Sequence, residues 1–440
     1  MKIVLLIPYS DSICRIKSLK DVIHNSMILE LETFLRMNDV ETITIDCLGN
    51  EDCDRMRVCN EIWQYNPDYI VIQPLHTIED LTGYQSLRSI CPVVAMGPVC
   101  CCLSLVEPMV DYVFPTNPEK GLADLIGLDI DEEVILDDVM GSMDVNKLIS
   151  SQDSRIAYIT TSRGCSYGGC SFCIIGAAYS SSSSRYVAVN PLIICRLLKE
   201  LQEKGVKTVQ IMDADFPGSN ISRLLEYRDA IRDMNISLKL HCDVRVQSLR
   251  NEQIVLLLKE IGIKSVFFGI DGSSDGMLAR VNKGISLNSV SKGINNLIAN
   301  SVAFRFGWIL ADSSSTLKEL EVACDFICSS GLYRMFDPGK LDDPTGLGTF
   351  FHEMHVNAGT NEFCKPTLND RNETSPLYSE EVNEAFKRMW PIRLKLSSEY
   401  REKISTVEDK TEKRNIRHDY NLKSIMHFYN IIREINDDIK

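Results

Sequence analysis

The sequence predicts an α/β protein: an amino-terminal doubly wound parallel sheet of Rossmann-like type, then a full or partial β/α barrel, then a helical carboxyl-terminal tail. Three observations carry that expectation. Short apolar runs alternate with helical patterns through the first 126 residues. A second alternating series begins near Arg155 and supplies at least five more strand–helix units. From about Glu380 onward the chain is rich in Glu, Lys, Arg and Leu and carries no strand signal. Near-continuous apolar strands separated by helical patterns belong to parallel sheets covered on both faces.

The elements follow in order. Lys2–Ile7 is a strand; its apolar run is too short for a signal peptide and is cut by Pro8. Ser26–Arg36 is an amphipathic helix and Glu41–Asp46 a second strand. Tyr69–Gln73 is a third strand, after a helical pattern ending at Asn66-Pro67-Asp68. Pro92–Met96 is a fourth, followed by Gly97-Pro98, and Asp111–Phe114 a fifth, closed by Pro115. Such sheets bind ligands beyond the carboxyl ends of their strands. Leu128–Asp144 holds seven acidic residues and no basic one, with Gly141-Ser142, and reads as a linker. The expected division is 1–127 for the first domain, 128–152 for the linker, 153–350 for the barrel and 351–440 for the extension. The barrel strands are Ile156–Thr160, Thr208–Met212, Leu238–Cys242, Ser265–Gly269 and Phe304–Ile309, with helices such as Pro191–Lys204 and Asn251–Ile261 between them.

Bulk properties narrow the function. With 440 residues the chain has room for about two or three units. Hydrophobic residues at 44% and charged ones at 25% describe an ordinary globular chain. A net charge of −14 disfavours nucleic acid as a main partner. No stretch approaches the length that spans a bilayer, so no membrane and a cytoplasmic location are expected. The sixteen cysteines are then mostly reduced thiols, some of them metal ligands.

The segment TTSRGCSYGGCSFC follows the first barrel strand and spaces its thiols as Cys165-x4-Cys170-x2-Cys173. Thiolates are the soft ligands of iron–sulfur clusters, and short spacing lets one loop wrap a cluster. Three thiolates for four irons leave one iron open for a cofactor or substrate. Gly164, Gly168 and Gly169 let the backbone bend around the group. The bland alternatives are a cysteine-rich turn without metal and a zinc site short of its fourth ligand.

GCSYGGCSFC resembles the cluster loop of the radical S-adenosylmethionine superfamily, whose usual spacing is Cys-x3-Cys-x2-Cys with an aromatic residue before the last cysteine; Phe172 matches that aromatic. The spacing here is one residue longer, and Gly168-Gly169 absorbs the insertion. The resemblance runs on for about 200 residues. Arg185 and its following helix, VKTVQIMDADF with Asp213 and Asp215, LHCDVRVQSL with Arg245, and VFFGIDGSSDGMLARVNKG resemble the second to fourth strands and their loops. Asp271 stands where relatives usually have Glu, and the Gly-Pro-Glu that follows FRFGWILADSSST in relatives is missing. The resemblance implies a [4Fe–4S] cluster on Cys165, Cys170 and Cys173 that binds S-adenosylmethionine and generates a 5′-deoxyadenosyl radical. It also implies an electron donor such as flavodoxin or ferredoxin. Within it, Arg245 is the candidate for the methionine carboxylate, Asp271 and Asp213 for the ammonium, Asp215 for the ribose, and Phe172 for the cofactor edge. Each is also a residue type common in salt bridges and helix caps at strand ends.

VVAMGPVCCC…VDYVFPTNPEKGLADLIG resembles the cobalamin-binding domain fused to many such enzymes. Met96 replaces the first glycine of its Gly-Gly-Pro-His turn and Val99 the histidine, leaving Gly97 and Pro98 as the residues beside cobalamin. No Asp-x-His-x-x-Gly motif is present, and His76 is the one imidazole near the third strand. Cys100-Cys101-Cys102 point in different directions and read as small apolar residues; Cys47, Cys53 and Cys59 form a weaker second-cluster candidate, and Cys364 is a lone thiol. His352 and His355 lie in a loop-like stretch that either closes the cavity or is plain surface.

The leading expectation is a cobalamin-dependent methylase of a small specialised metabolite or peptide. The first alternative is a radical rearrangement or oxidation without methyl transfer, with or without cobalamin. A second is a non-catalytic recognition protein that keeps the cluster as a staple. The helical tail and acidic charge argue against a tRNA methylthiotransferase, which resembles this layout but ends in a small β-barrel.

Overall fold

The structure is a computed structural model that describes residues 1–9, 27–47, 55–74, 78–130, 135–150, 153–180, 185–335 and 378–439. Five strands form the first sheet: β1 (Lys2–Ile7), β2 (Glu41–Asp46), β3 (Tyr69–Ile72), β4 (Val93–Met96) and β5 (Tyr112–Phe114). Their order is β2-β1-β3-β4-β5, and every pair is parallel. β-Branched and aliphatic residues make these strands, and helices cover both faces. In β1, β3 and β4 burial is therefore nearly continuous along the strand. The order reverses at β1, the switch point where such sheets open a crevice. Gln73, just past β3, accepts a hydrogen bond from Ile28 N at 2.9 Å and so caps the helix Met27–Met37.

The second unit begins with β6 (Ile156–Ile159). An antiparallel pair follows, β7 (Ser162–Gly164) with β8 (Tyr186–Ala188). Then come β9 (Thr208–Ile211), β10 (Lys239–Asp243), β11 (Ile263–Gly269) and β12 (Ala303–Gly307). The sheet runs β12-β11-β10-β9-β6, parallel throughout, and β12 does not meet β6. The full-or-partial expectation thus resolves to a partial barrel. Helices Pro191–Glu203, Ile221–Asp233, Glu252–Ile261 and Leu287–Ala299 pack behind it. Asn190, Asn220, Asn251 and Ser286 cap them with side-chain acceptors.

Two local readings are revised. The acidic stretch after residue 128 is not bare chain: Ile135–Gly141 is a helix that packs on Met27–Met37 and Pro191–Glu203. Leu136, Val139 and Met140 carry its apolar stripe and are buried, as is Met143 just past its end. The β7–β8 pair was absent from the strand list because Ser162-Arg163-Gly164 has no apolar signature. In the tail, Glu380–Ser405 and Lys410–Ile439 are long helices packed on each other. Among the described residues no helix is long and apolar enough to cross a membrane, and no small β-barrel follows the second sheet.

Candidate active site

The chain enters the three-cysteine loop under tight control. Asp213, just past β9 and 2% exposed, accepts four hydrogen bonds: from Thr161 N at 2.6 Å, Thr161 Oγ1 at 2.5 Å, Ser162 N at 3.0 Å and Ser162 Oγ at 2.7 Å. Burial still pushes its carboxyl upward, against those bonds. Its oxygens are occupied by the loop's own approach, so the expected contact with the methionine ammonium has no free acceptor there. Asp215, also buried, accepts from Ser166 Oγ and from Arg245 N at 3.2 Å. It ties the loop to the end of β10.

The loop itself is compact. Gly164 has φ +78°, and a Cβ there would lie 2.1 Å from Arg185 O, which accepts from Cys165 N at 3.0 Å. A side chain on Gly176 would meet Gly168 O at 2.7 Å, so the helix Ile174–Tyr179 starts directly against the loop. Cys165, Cys170 and Cys173 are all partly buried and free. Burial raises the Cys170 thiol to about 11; Lys283 opposes that rise, while Cys173, Asp271 and Cys165 add to it. Cys170 therefore feels both other thiols, and Lys283 acts on Cys170 and Cys173. Among the described residues no three His, Cys, Asp or Glu side chains close on a single ion. Ligands of a cubane each hold a different iron and stand farther apart than ligands of one zinc. The donor set, its spacing and the cation fit a [4Fe–4S] cluster.

The loop is laced to the segment after β11. Ser171 N donates to Val281 O at 3.0 Å, Asn282 Nδ2 to Gly169 O at 2.6 Å, and Tyr167 Oη to Asn282 O at 2.9 Å. Phe172 packs against Met277, Val281 and Ile309. The Arg245 guanidinium lies over the Tyr167 ring, 4.3 Å from its centre, and makes no ion pair among the described residues. That leaves it available to a carboxylate beside the loop. Asp271, in the left-handed region at φ 58°, pairs with Lys283 Nζ. Lys283 also sits 5.7 Å from the centre of the Phe172 ring. Lys283 was not among the sequence candidates. Its place in the VNKG turn was visible in the sequence, but its neighbours were not.

On the first sheet, Gly97 has φ +97° after β4 and donates its N–H to Phe114 O at 3.0 Å. Among the described residues a Cβ there would meet only Gln73 Cγ, at 3.8 Å. Pro98–Cys101 forms the next turn and packs against Ile174–Tyr179, the helix that leaves Cys173. Gly97 and Pro98 are thereby brought beside the cluster loop. Cys100 is buried, and its Sγ contacts Met96 O at 3.5 Å; burial raises its thiol, and that of Cys101 to about 11. Cys47 is buried and Cys59 partly so. His76, Cys53, His352, His355 and Cys364 lie outside the described residues.

Comparison with known proteins bears on this geometry. Residues 159–308 match the radical SAM superfamily. An uncharacterized methyltransferase of Pyrococcus horikoshii is 26% identical over 178 residues, covering 38% of this chain and 36% of that protein. Among solved structures, the cobalamin-dependent S-adenosylmethionine radical enzyme OxsB superposes with a TM-score of 0.57 at 15% identity, over 83% of this chain and 55% of that one. The radical S-adenosylmethionine methyltransferase TsrM from Kitasatospora setae superposes with a TM-score of 0.57 at 16% identity, over 75% of this chain and 71% of that one. These two share the fold. The chain thus spans about a third of the curated relative and about half of OxsB. The segment that matches the radical SAM superfamily, residues 159–308, runs from the end of β6 through β12 and contains the three-cysteine loop.

Proposed function

We propose that this protein is a cobalamin-dependent radical S-adenosylmethionine methylase acting on a small molecule or a peptide. The observation that carries the reading is the packing of the Gly97-Pro98 turn against the helix that leaves Cys173. A corrin held over that turn would lie next to the cluster's open iron, the arrangement a methyl carrier and a radical source need to share one substrate. Cys165, Cys170 and Cys173 would hold the cluster; when bound, it supplies the electron that cleaves S-adenosylmethionine. Arg245 orients the methionine carboxylate, and its stacking on Tyr167 fixes its approach. Lys283 offsets the thiolate charge and neutralises Asp271. The packed loop keeps water from the reacting atoms. We further propose a flavodoxin- or ferredoxin-type electron donor and a reducing, cytoplasmic setting, which the free cysteines suit.

The test is anaerobic reconstitution with iron, sulfide and hydroxocobalamin, followed by optical spectra, metal counts and assay of 5′-deoxyadenosine after reduction with S-adenosylmethionine. About four irons and one corrin per chain, with 5′-deoxyadenosine formed, are expected. A cluster-loaded chain that retains no corrin would overturn the cobalamin part. One that forms no 5′-deoxyadenosine would overturn the radical part. A radical product that gains no methyl group would replace methylation by rearrangement or oxidation.

A further inference from the structure

Arg163 lies in β7, two residues before Cys165, and its side chain is only 6% exposed. Its guanidinium is divided between two carboxylates of the first unit. Nη1 and Nη2 donate to Glu119 Oε2 at 2.8 Å and Oε1 at 2.7 Å, while Nε donates to Glu30 Oε2 at 2.9 Å and Nη2 reaches the same oxygen. Glu30 and Glu119 are 4% and 0% exposed. Glu30 stands on the helix Met27–Met37 and Glu119 in the first turn of Pro118–Ile126. Tyr179, at the far end of the helix that leaves Cys173, feels all three charges. Two carboxylates of separate helices therefore hold the chain where it enters the cluster loop.

The connection continues to the carboxyl ends of the first sheet's strands. Two residues before Glu30, the N–H of Ile28 donates to Gln73 Oε1. The Gln73 side chain is the neighbour of Gly97. A path thus runs from Gln73, whose side chain lies beside Gly97, through the first turn of Met27–Met37, Glu30 and Arg163 to Cys165, with directional bonds at Gln73–Ile28 and at Glu30–Arg163. Apolar packing would hold the two units together without fixing their register. A planar fork bonded on two edges fixes distance and rotation together.

We propose that Arg163, Glu30 and Glu119 are positioning residues: a buried strut that sets the separation between the Gly97-Pro98 turn and the cluster loop. The magnetic part of the test rests on cobalamin binding, and the structural part does not. A buried ion triad can be exchanged for apolar residues with the fold kept, whereas removing one partner strands a charge. The informative variant is therefore Arg163→Met with Glu30→Leu and Glu119→Leu, with Arg163→Lys as the conservative partner. In the reconstituted, reduced wild-type protein, the electron paramagnetic resonance lines of cobalt(II) should be broadened by the reduced cluster. The triple variant, carrying the same iron and corrin per chain, should show clearly altered broadening, and Arg163→Lys an intermediate change. Crystal structures of the cluster-loaded wild type and triple variant supply the corrin-free reading: the Gly97-to-Cys165 separation should shift beyond coordinate error. An unchanged separation, or unchanged broadening at full loading, overturns the strut. A wild type that binds no corrin overturns the proposed function instead, and the strut is then decided by the crystallographic separation alone.

Discussion

In the first sheet β1, β3 and β4 are buried residue after residue, whereas in the second β6, β9 and β10 alternate buried with half-exposed positions. Both sheets are parallel and backed by helices. The first has helices on both sides. The second turns one face inward, and because β12 and β6 do not pair, no ring of apolar side chains fills the space among the described residues. A closed barrel packs that interior with branched aliphatic residues. Here the inward rows carry Tyr158, Gln210, His241 and Ser265, and one step nearer the carboxyl ends Asp243, Phe267 and Arg305. His241 Nδ1 and Ser265 Oγ are 2.6 Å apart. The difference is one of packing: the first sheet is buried on both faces along β1, β3 and β4, and the second keeps one face polar and half-exposed.

The comparison can be broken most directly at the loop that crowns the second sheet. Cys170→Ala should bring 5′-deoxyadenosine formation to background and lower iron in the reconstituted chain while the far-ultraviolet circular dichroism is kept; undiminished cleavage with a full cluster would remove the chemistry from this sheet. The stability contrast comes next. Leu5→Ala, on β1 at 0% exposure, should cost about 2–5 kcal/mol in denaturant unfolding. Phe267→Ala, a larger truncation on the half-open face, should cost about 1 kcal/mol, since less apolar surface leaves water there. Equal costs would mean that the second sheet is packed like the first.

Smaller effects sharpen the picture. Asp213→Ala strips acceptors from buried Thr161 N and Ser162 N and should cost about 3 kcal/mol in the same unfolding measurement. Asp213→Asn should cost less, because an amide oxygen still accepts. Asp243 tests the polar lining through pH. Burial lifts its carboxyl to about 7, opposed by Arg305. Because the folded value lies above the unfolded one, its stabilising contribution is complete below pH 4 and is lost as pH rises through 7. Asp243→Asn should therefore gain roughly 2 kcal/mol relative to wild type between pH 5 and pH 8. A flat difference across that range would show that this carboxyl is well solvated.

Much of this architecture was legible because parallel strands advertise themselves as apolar runs. Lys2–Ile7 and Glu41–Asp46 were found to the residue, and the others within one or two. The thiols were legible because one loop holds all three. What escaped depends on partners distant in sequence. Arg163 finds Glu30 from 133 residues away and Glu119 from 44, and no local pattern announces either pairing. Lys283 reads as an ordinary turn residue until the fold sets it beside Cys170 and Asp271. Asp213 was legible as a strand-end carboxylate, but its engagement by Thr161 and Ser162 was not. The Ile135–Gly141 helix was hidden by its acids, although Leu136, Val139, Met140 and Met143 repeat at helical spacing.

The two inward carboxylates of the first unit have a consequence for how the molecule is made. A polypeptide released at residue 127 would possess every strand of its sheet, yet Glu30 and Glu119 would face one another in apolar surroundings with their counter-ion not yet synthesised. Mutual repulsion in so poor a solvent for charge would hold those helices ajar. The unit should therefore settle fully only after the ribosome has delivered the next stretch of chain. A recombination event that moved it elsewhere would have to carry an arginine along.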